Sequence, residues 1–307
     1  MAALTPVGRF APTPSGRMHL GNVFAALMAW LSVRSKGGEM VLRMEDLDTQ
    51  RTSEAYAAVI REDLNWLGLD YDRETAPQSR RSPVYDEYFR ILEEKGLLYP
   101  CYCTRSQLHS VNAPHLSDGT YVYPGTCRNL TEQQRAAFSR SPAWRVRVPD
   151  KLWQFRDWGQ GEYCLNLATQ CGDMVVRRAD GVYLYQLAVT VDDGEAGVTE
   201  VVRGMDLLSS APRQMYLQEL FGFPHPEYGH IPMLLAPDGR RLSKRDKDLD
   251  LGILRSRVKP EALIGNLAFA AGLIDTNTPI SARELAQEFS WENLRRSSIY
   301  LDADQLR

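Results

Sequence analysis

The sequence predicts an α/β fold on a parallel sheet, from three observations. Strand-like apolar runs alternate with helix-periodic runs from the start, no period of about 20–50 residues recurs, and no low-complexity tract interrupts the pattern. The 307 residues, 44% hydrophobic and 24% charged, suffice for two modest domains or one core with insertions, and they exclude a disordered chain. The longest apolar stretches, such as Ala25 to Leu31, fall far short of the roughly 20 residues a spanning helix needs, so no membrane partner is expected.

Gly8 to Ala11 reads as a short buried strand. Leu20, Val23, Phe24, Leu27, Trp30 and Leu31 then recur at helical spacing until Gly37-Gly38 stops them. Met40 to Met44 is a second apolar strand. Thr52 or Ser53 can cap a helix whose core face is Tyr56, Val59, Ile60, Leu64 and Leu67, with Gly68 closing it; Tyr85, Tyr88, Phe89 and Leu92 mark another that ends at Gly96. From Leu97 to Pro142 the periodicity fails and Cys, Tyr, Pro, Gly and His accumulate, as in an insertion. Trp144 to Val148 and Met174 to Arg178 alternate as strands, Leu184 to Val191 is apolar, Val198 to Arg203 is strand-like, and a helix follows at Ala211 to Leu220. The sheet is therefore expected to resume after the insertion. Beyond Leu235 come the turn Pro237-Asp238-Gly239, a charged loop, and helical patterns from Pro260. These shifts divide the chain into 1–96 (first half of the α/β domain), 97–142 (insertion), 143–235 (second half) and 236–307 (loop and helical segment).

A net charge of −3 excludes a wholesale basic coat, so any nucleic acid contact must use a local patch. The stretch Ala236 to Pro260, with eight Lys or Arg against four Asp, is the best candidate. The five cysteines are unevenly spaced, and the first ten residues carry neither a basic lead nor an apolar core. A cytoplasmic protein with reduced thiols is the expectation.

Arg9-Phe-Ala-Pro-Thr-Pro-Ser-Gly-Arg-Met-His-Leu-Gly-Asn22 lies where the first strand gives way to the first helix. Unpaired N–H groups at a helix start can hold a triphosphate, Gly21 would let a flat base approach the backbone, and His19 could donate to phosphate oxygens. The same residues could simply shape a tight loop and end a helix. Far downstream, Arg240-Arg-Leu-Ser-Lys-Arg-Asp-Lys247 places Lys244 between Ser243 and Arg245, suited to neutralise charge on departing pyrophosphate, although a solvated basic loop would carry the same residues.

Together, His19-Leu-Gly-Asn22 and Arg241-Leu-Ser-Lys-Arg245 resemble the two signatures of class I aminoacyl-tRNA synthetases. Arg9 to Gly16, Leu42-Arg-Met-Glu-Asp-Leu-Asp48 and Thr199-Glu-Val-Val-Arg-Gly204 resemble the glutamyl-tRNA synthetase core, over essentially the whole chain. Both signatures depart from the family pattern. Asn22 stands where the family has His but keeps a donor, and Arg241 and Arg245 keep charge at the ends of the second. The resemblance implies a Rossmann-like parallel sheet with a zinc-binding insertion and a short helical C-terminal segment.

It also implies the chemistry. His19, Gly21, Asn22 and Lys244 would hold ATP with its Mg²⁺, with His19 and Lys244 catalytic. Free glutamate offers an ammonium and two carboxylates, which call for one anion, guanidinium groups and a hydroxyl. By resemblance, Arg9, Ala11, Thr13, Glu45, Tyr185 and Arg203 line its pocket, with Glu45 suited to the ammonium and Arg9, Tyr185 and Arg203 to carboxylate. Attack of the α-carboxylate on the α-phosphorus needs no protein nucleophile.

In the insertion, Cys101, Cys103 and Cys127 could hold a metal in place of a hydrophobic core. On general grounds His109 or His115 would supply a fourth ligand, and three unliganded thiols are the alternative. Resemblance to the short glutamyl-queuosine tRNA(Asp) synthetases favours Tyr123, with one structural zinc. Val189, where ordinary glutamyl enzymes usually carry Asn, and no room for a further helical anticodon-binding region both point to these paralogs. Their partners are L-glutamate, ATP and queuosine-containing tRNA(Asp), and a monomer is expected. A truncated glutamyl-tRNA synthetase and a non-catalytic tRNA-binding paralog are the alternatives, the second disfavoured by the presence of His19, Glu45, Arg203 and Lys244 together.

Overall fold

In the computed structural model, which describes residues 5–104, 106–107, 122–240 and 250–301, two short parallel strands begin the architecture. Strand β1 (Val7–Phe10) pairs in register with β2 (Glu39–Leu42), Arg9 opposite Val41, and helix α1 (Leu20–Arg34) connects them. Gly8 allows α1 to lie close, because a Cβ there would meet Val33 Cγ2 at 2.2 Å. Helix α1 is buried almost all round, from Leu20 to Val33, since it touches β1 on one side and the helix Ala282–Glu288 on the other. Helix α2 (Glu54–Leu67) starts at the Ser53 cap and stops at Gly68, whose φ of 71° suits glycine. It leads to β3 (Arg73–Glu74), which pairs with β2, and α3 (Ser82–Glu94) follows.

The chain then leaves the central sheet. Strands β4 (Leu98–Cys101), β5 (Ala143–Val146) and β8 (Met174–Arg177) form a separate antiparallel sheet of three. The central sheet thus resumes later than the expected Trp144, at β6 (Leu152–Asp157), which forms a hairpin with β7 (Gly161–Asn166). Alternation identified β5 and β8 as strands but could not choose their neighbour, because one apolar face fits either sheet. The apolar run from Leu184 becomes helix α4 (Tyr185–Glu195), ahead of β9 (Glu200–Gly204), helix α5 (Ser210–Phe221) and β10 (Glu227–Ile231).

The central sheet has the order β3-β2-β1-β9-β10-β6-β7, parallel except for the β6–β7 hairpin. From β1 the chain builds outward through β2 and β3, and later on the other side through β9 and β10. The β1–β9 boundary is therefore a topological switch point, where crevices open at the carboxyl ends of strands. Arg9 and Arg203 sit near those ends.

The helical segment shares this core. Leu263, Ile264, Leu267 and Ala268 of α6 (Pro260–Ala271) and Leu285 of α7 (Ala282–Glu288) belong to the cluster that contains α1. Strand β12 (Ile299–Tyr300) pairs with β11 (Leu234–Leu235). Trp291 adds a polar tie, its indole donating to Ser32 Oγ at 3.2 Å. A Cβ on Gly229 would meet the Trp291 ring at 2.5 Å. Gly229→Val should therefore displace Trp291 and lower stability by about 1–3 kcal/mol, the usual cost of overpacking. Urea melts and faster proteolysis within 272–301 would check it.

Candidate active site and metal centre

A cleft of about 540 Å³ opens at the switch point and is lined by Arg9, Ala11, Thr13, His19, Gly21, Asn22, Glu45, Tyr185 and Arg203. The first loop is fixed by its backbone: the carbonyls of Pro12 and Pro14 accept from Glu45 N and Ser53 N, each at 3.0 Å. Gly16 has φ 151°, open to glycine but strained for other residues.

His19 is the N-cap of α1. Its Nδ1 accepts from Gly21 N at 3.1 Å, while its own N–H donates to Asn22 Oδ1 at 3.3 Å. A neutral ring that accepts at Nδ1 carries its hydrogen on Nε2, so one imidazole can cap the helix and still present a donor. The helix-end and phosphate-facing roles are thus compatible. Asn22 keeps the cap closed, a function separate from any ligand. Lys244, with Arg241 and Arg245, lies outside the described residues. Asp250, just downstream, forms an antiparallel bridge with His19, and Leu251 N donates to Met18 O at 3.2 Å.

Beneath the cleft lies a network of buried charge. Arg43 is fully buried, donating from Nη1 to Asp193 Oδ1 at 2.5 Å and from Nη2 to Glu45 Oε1 at 3.1 Å. Arg9 donates from Nε to Asp193 Oδ2 at 3.4 Å and from Nη1 to Val202 O at 3.1 Å. Burial alone would raise Asp193, but the Arg43 and Arg9 guanidiniums hold it below its ordinary range. Burial does raise the Glu45 carboxyl, with Arg43 pulling back. Burial likewise raises the Tyr185 phenol, so its hydroxyl remains a donor.

Arg203, buried on β9, donates from Nε to His230 Nε2 at 3.0 Å and from Nη1 to Gln214 Oε1 at 2.8 Å, with Tyr185 Oη at 3.4 Å. Its Nη2 is buried without a hydrogen-bond partner. Buried guanidinium donors are seldom left so, and a charged donor of this kind is suited to an anion. Sequence reasoning missed Arg43, Asp193 and His230. Arg43 had a readable signal, since an Arg inside the apolar run Met40 to Met44 must be paired if buried. The doublet Asp192-Asp193 on an apolar helix was its counterpart.

At the edge of the small sheet, Cys101, Cys103 and Cys127 converge. Tyr123 Oη lies 3.6 Å from Cys101 Sγ and 3.8 Å from Cys103 Sγ, and the Cys103 and Cys127 sulfurs are 3.6 Å apart. A tetrahedral zinc with bonds near 2.3 Å needs donors about 3.7 Å apart, which these three separations match, and all three sulfurs lie within 4.8 Å of one another. Cys127 N donates to Tyr123 Oη at 2.8 Å, and Tyr102 N to Cys127 Sγ at 3.4 Å. Arg145, also buried, donates from Nε to Cys101 Sγ at 3.2 Å and stacks its guanidinium 3.6 Å from the Tyr123 ring centroid. Burial raises the Cys101 thiol, but Arg145, the Cys103 N–H and the Tyr123 hydroxyl together bring it below its ordinary value. His109 and His115 lie outside the described residues. Cys164 is exposed on β7, and buried Cys171 receives Arg213 Nε at 3.3 Å.

Residues 7–307 match the family model of class I tRNA synthetases (E and Q), catalytic domain. The chain belongs to this family. A glutamyl-Q tRNA(Asp) synthetase of Symbiobacterium thermophilum is 44% identical, with 97% of each chain covered. One from Nitratidesulfovibrio vulgaris is 43% identical, covering 97% of this chain and 96% of its own. Among solved structures, a glutamate tRNA ligase from Elizabethkingia meningosepticum superposes with TM-score 0.83 at 27% identity, over 98% of this chain and 68% of that one. The synthetase resemblance read from short motifs therefore extends over the chain, and the α/β fold is similar to that of a glutamate tRNA ligase. Among the described residues, no helix is long and apolar enough to cross a membrane.

A pH dependence follows from His230. Burial pushes its ring down from 6.5 to about 4, against the pull of Asp157. Between these values the unfolded chain binds a proton that the folded ring refuses, so stability should fall as pH drops from 6.5 to 4, by about 3 kcal/mol. Glu45, raised by burial, opposes this at the acid end. The difference in urea stability between wild type and His230→Gln isolates the His230 contribution, which should shrink across that interval.

Proposed function

We propose that this enzyme activates L-glutamate with ATP to glutamyl-adenylate and pyrophosphate, and transfers the glutamate to the queuosine base in the anticodon of tRNA(Asp). The observation that carries this is the near-complete, two-way alignment with glutamyl-Q tRNA(Asp) synthetases, against 68% coverage of the glutamate tRNA ligase. Val189, buried in α4, is the residue by which the sequence resembles the short paralogs. We read the protein as a cytoplasmic monomer.

In this reading Glu45 receives the ammonium, and Arg9, Tyr185 and Arg203 hold carboxylate, with Ala11 and Thr13 along the pocket wall. The unpartnered Arg203 Nη2 supports a carboxylate at that point. ATP lies along the start of α1 against His19, Gly21 and Asn22. The α-carboxylate oxygen attacks the α-phosphorus and the bond to pyrophosphate breaks; Lys244 neutralises the charge that leaves. Mg²⁺ accompanying ATP would supply further charge neutralisation. The acceptor hydroxyl of queuosine then attacks the activated carbonyl and releases AMP. Cys101, Cys103, Tyr123 and Cys127 hold one structural zinc, whose binding replaces the apolar core this region lacks.

Radiolabelled glutamate should appear on the anticodon stem-loop after nuclease digestion, only with queuosine-containing tRNA(Asp), and transfer should weaken steeply with salt. Label on the 3′-terminal adenosine would instead establish a short glutamyl-tRNA synthetase, and no glutamate-dependent pyrophosphate exchange would establish a non-catalytic paralog. Lys244→Ala should slow single-turnover adenylation at saturating ATP about 100-fold or more while ATP affinity changes little; an unchanged rate removes Lys244 from the chemistry. Elemental analysis should find close to one zinc per chain, reduced in Cys101→Ser and Tyr123→Phe and retained in His115→Ala. Zinc loss in His115→Ala would assign the fourth ligand to His115 instead.

A further inference from the structure

A guanidinium on a flexible stem reads a carboxylate well only when its plane is fixed beforehand. Arg203 and His230 are direct register partners on adjacent parallel strands, β9 and β10, and both are buried. The 3.0 Å contact from Arg203 Nε requires His230 Nε2 to be an acceptor, since a hydrogen there would face the hydrogen of the guanidinium.

What sets that tautomer lies one strand further out. Asp157, at the end of β6, has Oδ2 2.5 Å from His230 Nδ1. Its Oδ1 accepts from Gly159 N and Gln160 N at 2.9 Å and from His230 N at 3.0 Å. A carboxylate met by this many N–H donors stays ionised and takes the ring hydrogen on Nδ1, leaving Nε2 bare. The turn after β6 closes over the pair: Gln160 Nε2 donates to His230 O at 2.9 Å, and a Cβ on Gly159 would meet that oxygen at 2.1 Å. With Nε held by His230 and Nη1 by Gln214, the donor of Arg203 without a protein partner is Nη2.

We propose that His230 and Asp157 are positioning residues of the amino acid pocket: Asp157 fixes the His230 tautomer, and His230 fixes the guanidinium plane of Arg203 so that Nη2 meets the substrate carboxylate. This rests on Arg203 being a glutamate contact, as proposed above. Neither residue touches substrate, and neither exchanges a proton during the reaction.

The test is ATP–pyrophosphate exchange by the full chain, with KM for glutamate and for ATP measured separately. His230→Ala should raise glutamate KM about tenfold or more and leave ATP KM within about twofold. His230→Gln, which returns an acceptor oxygen near the Nε2 position, should recover most of the loss. Asp157→Asn should raise glutamate KM too, and ¹⁵N shifts of His230 should show a single Nδ1–H tautomer in wild type and a mixture in that variant. A folded His230→Ala with unchanged glutamate KM, equal rises in both KM values, or a Gln variant no better than Ala overturns the proposal. If His230→Ala does not fold, Asp157→Asn decides: unchanged glutamate KM and one tautomer overturn it. Arg203→Ala, run in parallel, separates the two levels. Normal glutamate KM in Arg203→Ala defeats the pocket reading, whereas a defect there beside a normal His230→Ala defeats the positioning role alone.

Discussion

The fully buried guanidinium of Arg43 is the constraint around which the rest of this cleft is arranged. A charge taken out of water must find partners, and they come both from next door and from far along the chain: Glu45 two residues on, and Asp192 and Asp193 on α4. Asp193 reaches Arg9 on β1, while Asp192 accepts from Arg81, Gln78 and Tyr85 around α3. One ionic network thus ties the first strand pair, the second half of the sheet and α3 together. Removing Arg43 would leave Glu45 without its hydrogen-bonded cation and weaken the pairing of Asp192 and Asp193, so the network is centred on that one guanidinium.

That rigidity bears on how an amino acid could be read. Carboxylates and ammonium are strongly hydrated, and a pocket wins them from water only if its own groups are already oriented. Glu45 is held by Arg43, and Arg203 by His230 and Gln214. The end of the cleft at the start of α1 is built differently, from helix-start N–H groups and a His that caps the helix. In the proposed reading, side-chain ion pairs would serve the charged amino acid and backbone geometry the phosphates.

Much of this was legible in the sequence where the information is local. The His19 cap, the Ser53 and Gly68 helix ends, and the alternation of β5 and β8 follow from spacing of a few residues, and the synthetase signatures named the cleft residues directly. What was not legible is pairing at a distance. Nothing near Trp144 says that its strand joins β4 and not the central sheet, and nothing near His230 says that Asp157, 73 residues earlier, will face it. Arg43 lay between. Its burial could be suspected from the apolar run that holds it, but its partners could not.

The cysteine cluster extends the same logic to a region without an apolar core. Tyr99, Cys101, Tyr123 and Cys127 form a satellite cluster too small to order the segment through hydrophobic burial alone. Three thiols within 4.8 Å of one another, with a phenol beside two of them, would repel as anions, yet Arg145 brings a buried cation against both Cys101 and Tyr123. If the four donors hold zinc as proposed, the dication would offset part of the ligand charge and Arg145 a further unit. The Cys127 sulfur also receives the Tyr102 N–H, and the Tyr123 oxygen the Cys127 N–H. Arg145 also donates to Asp173 O, so the charge partner of the cluster is anchored in the loop that leads into β8. Burial of charge, met by partners from separate segments, thus recurs in both places, with guanidinium–carboxylate pairs under the cleft and Arg145 against the thiol cluster at the edge of the small sheet.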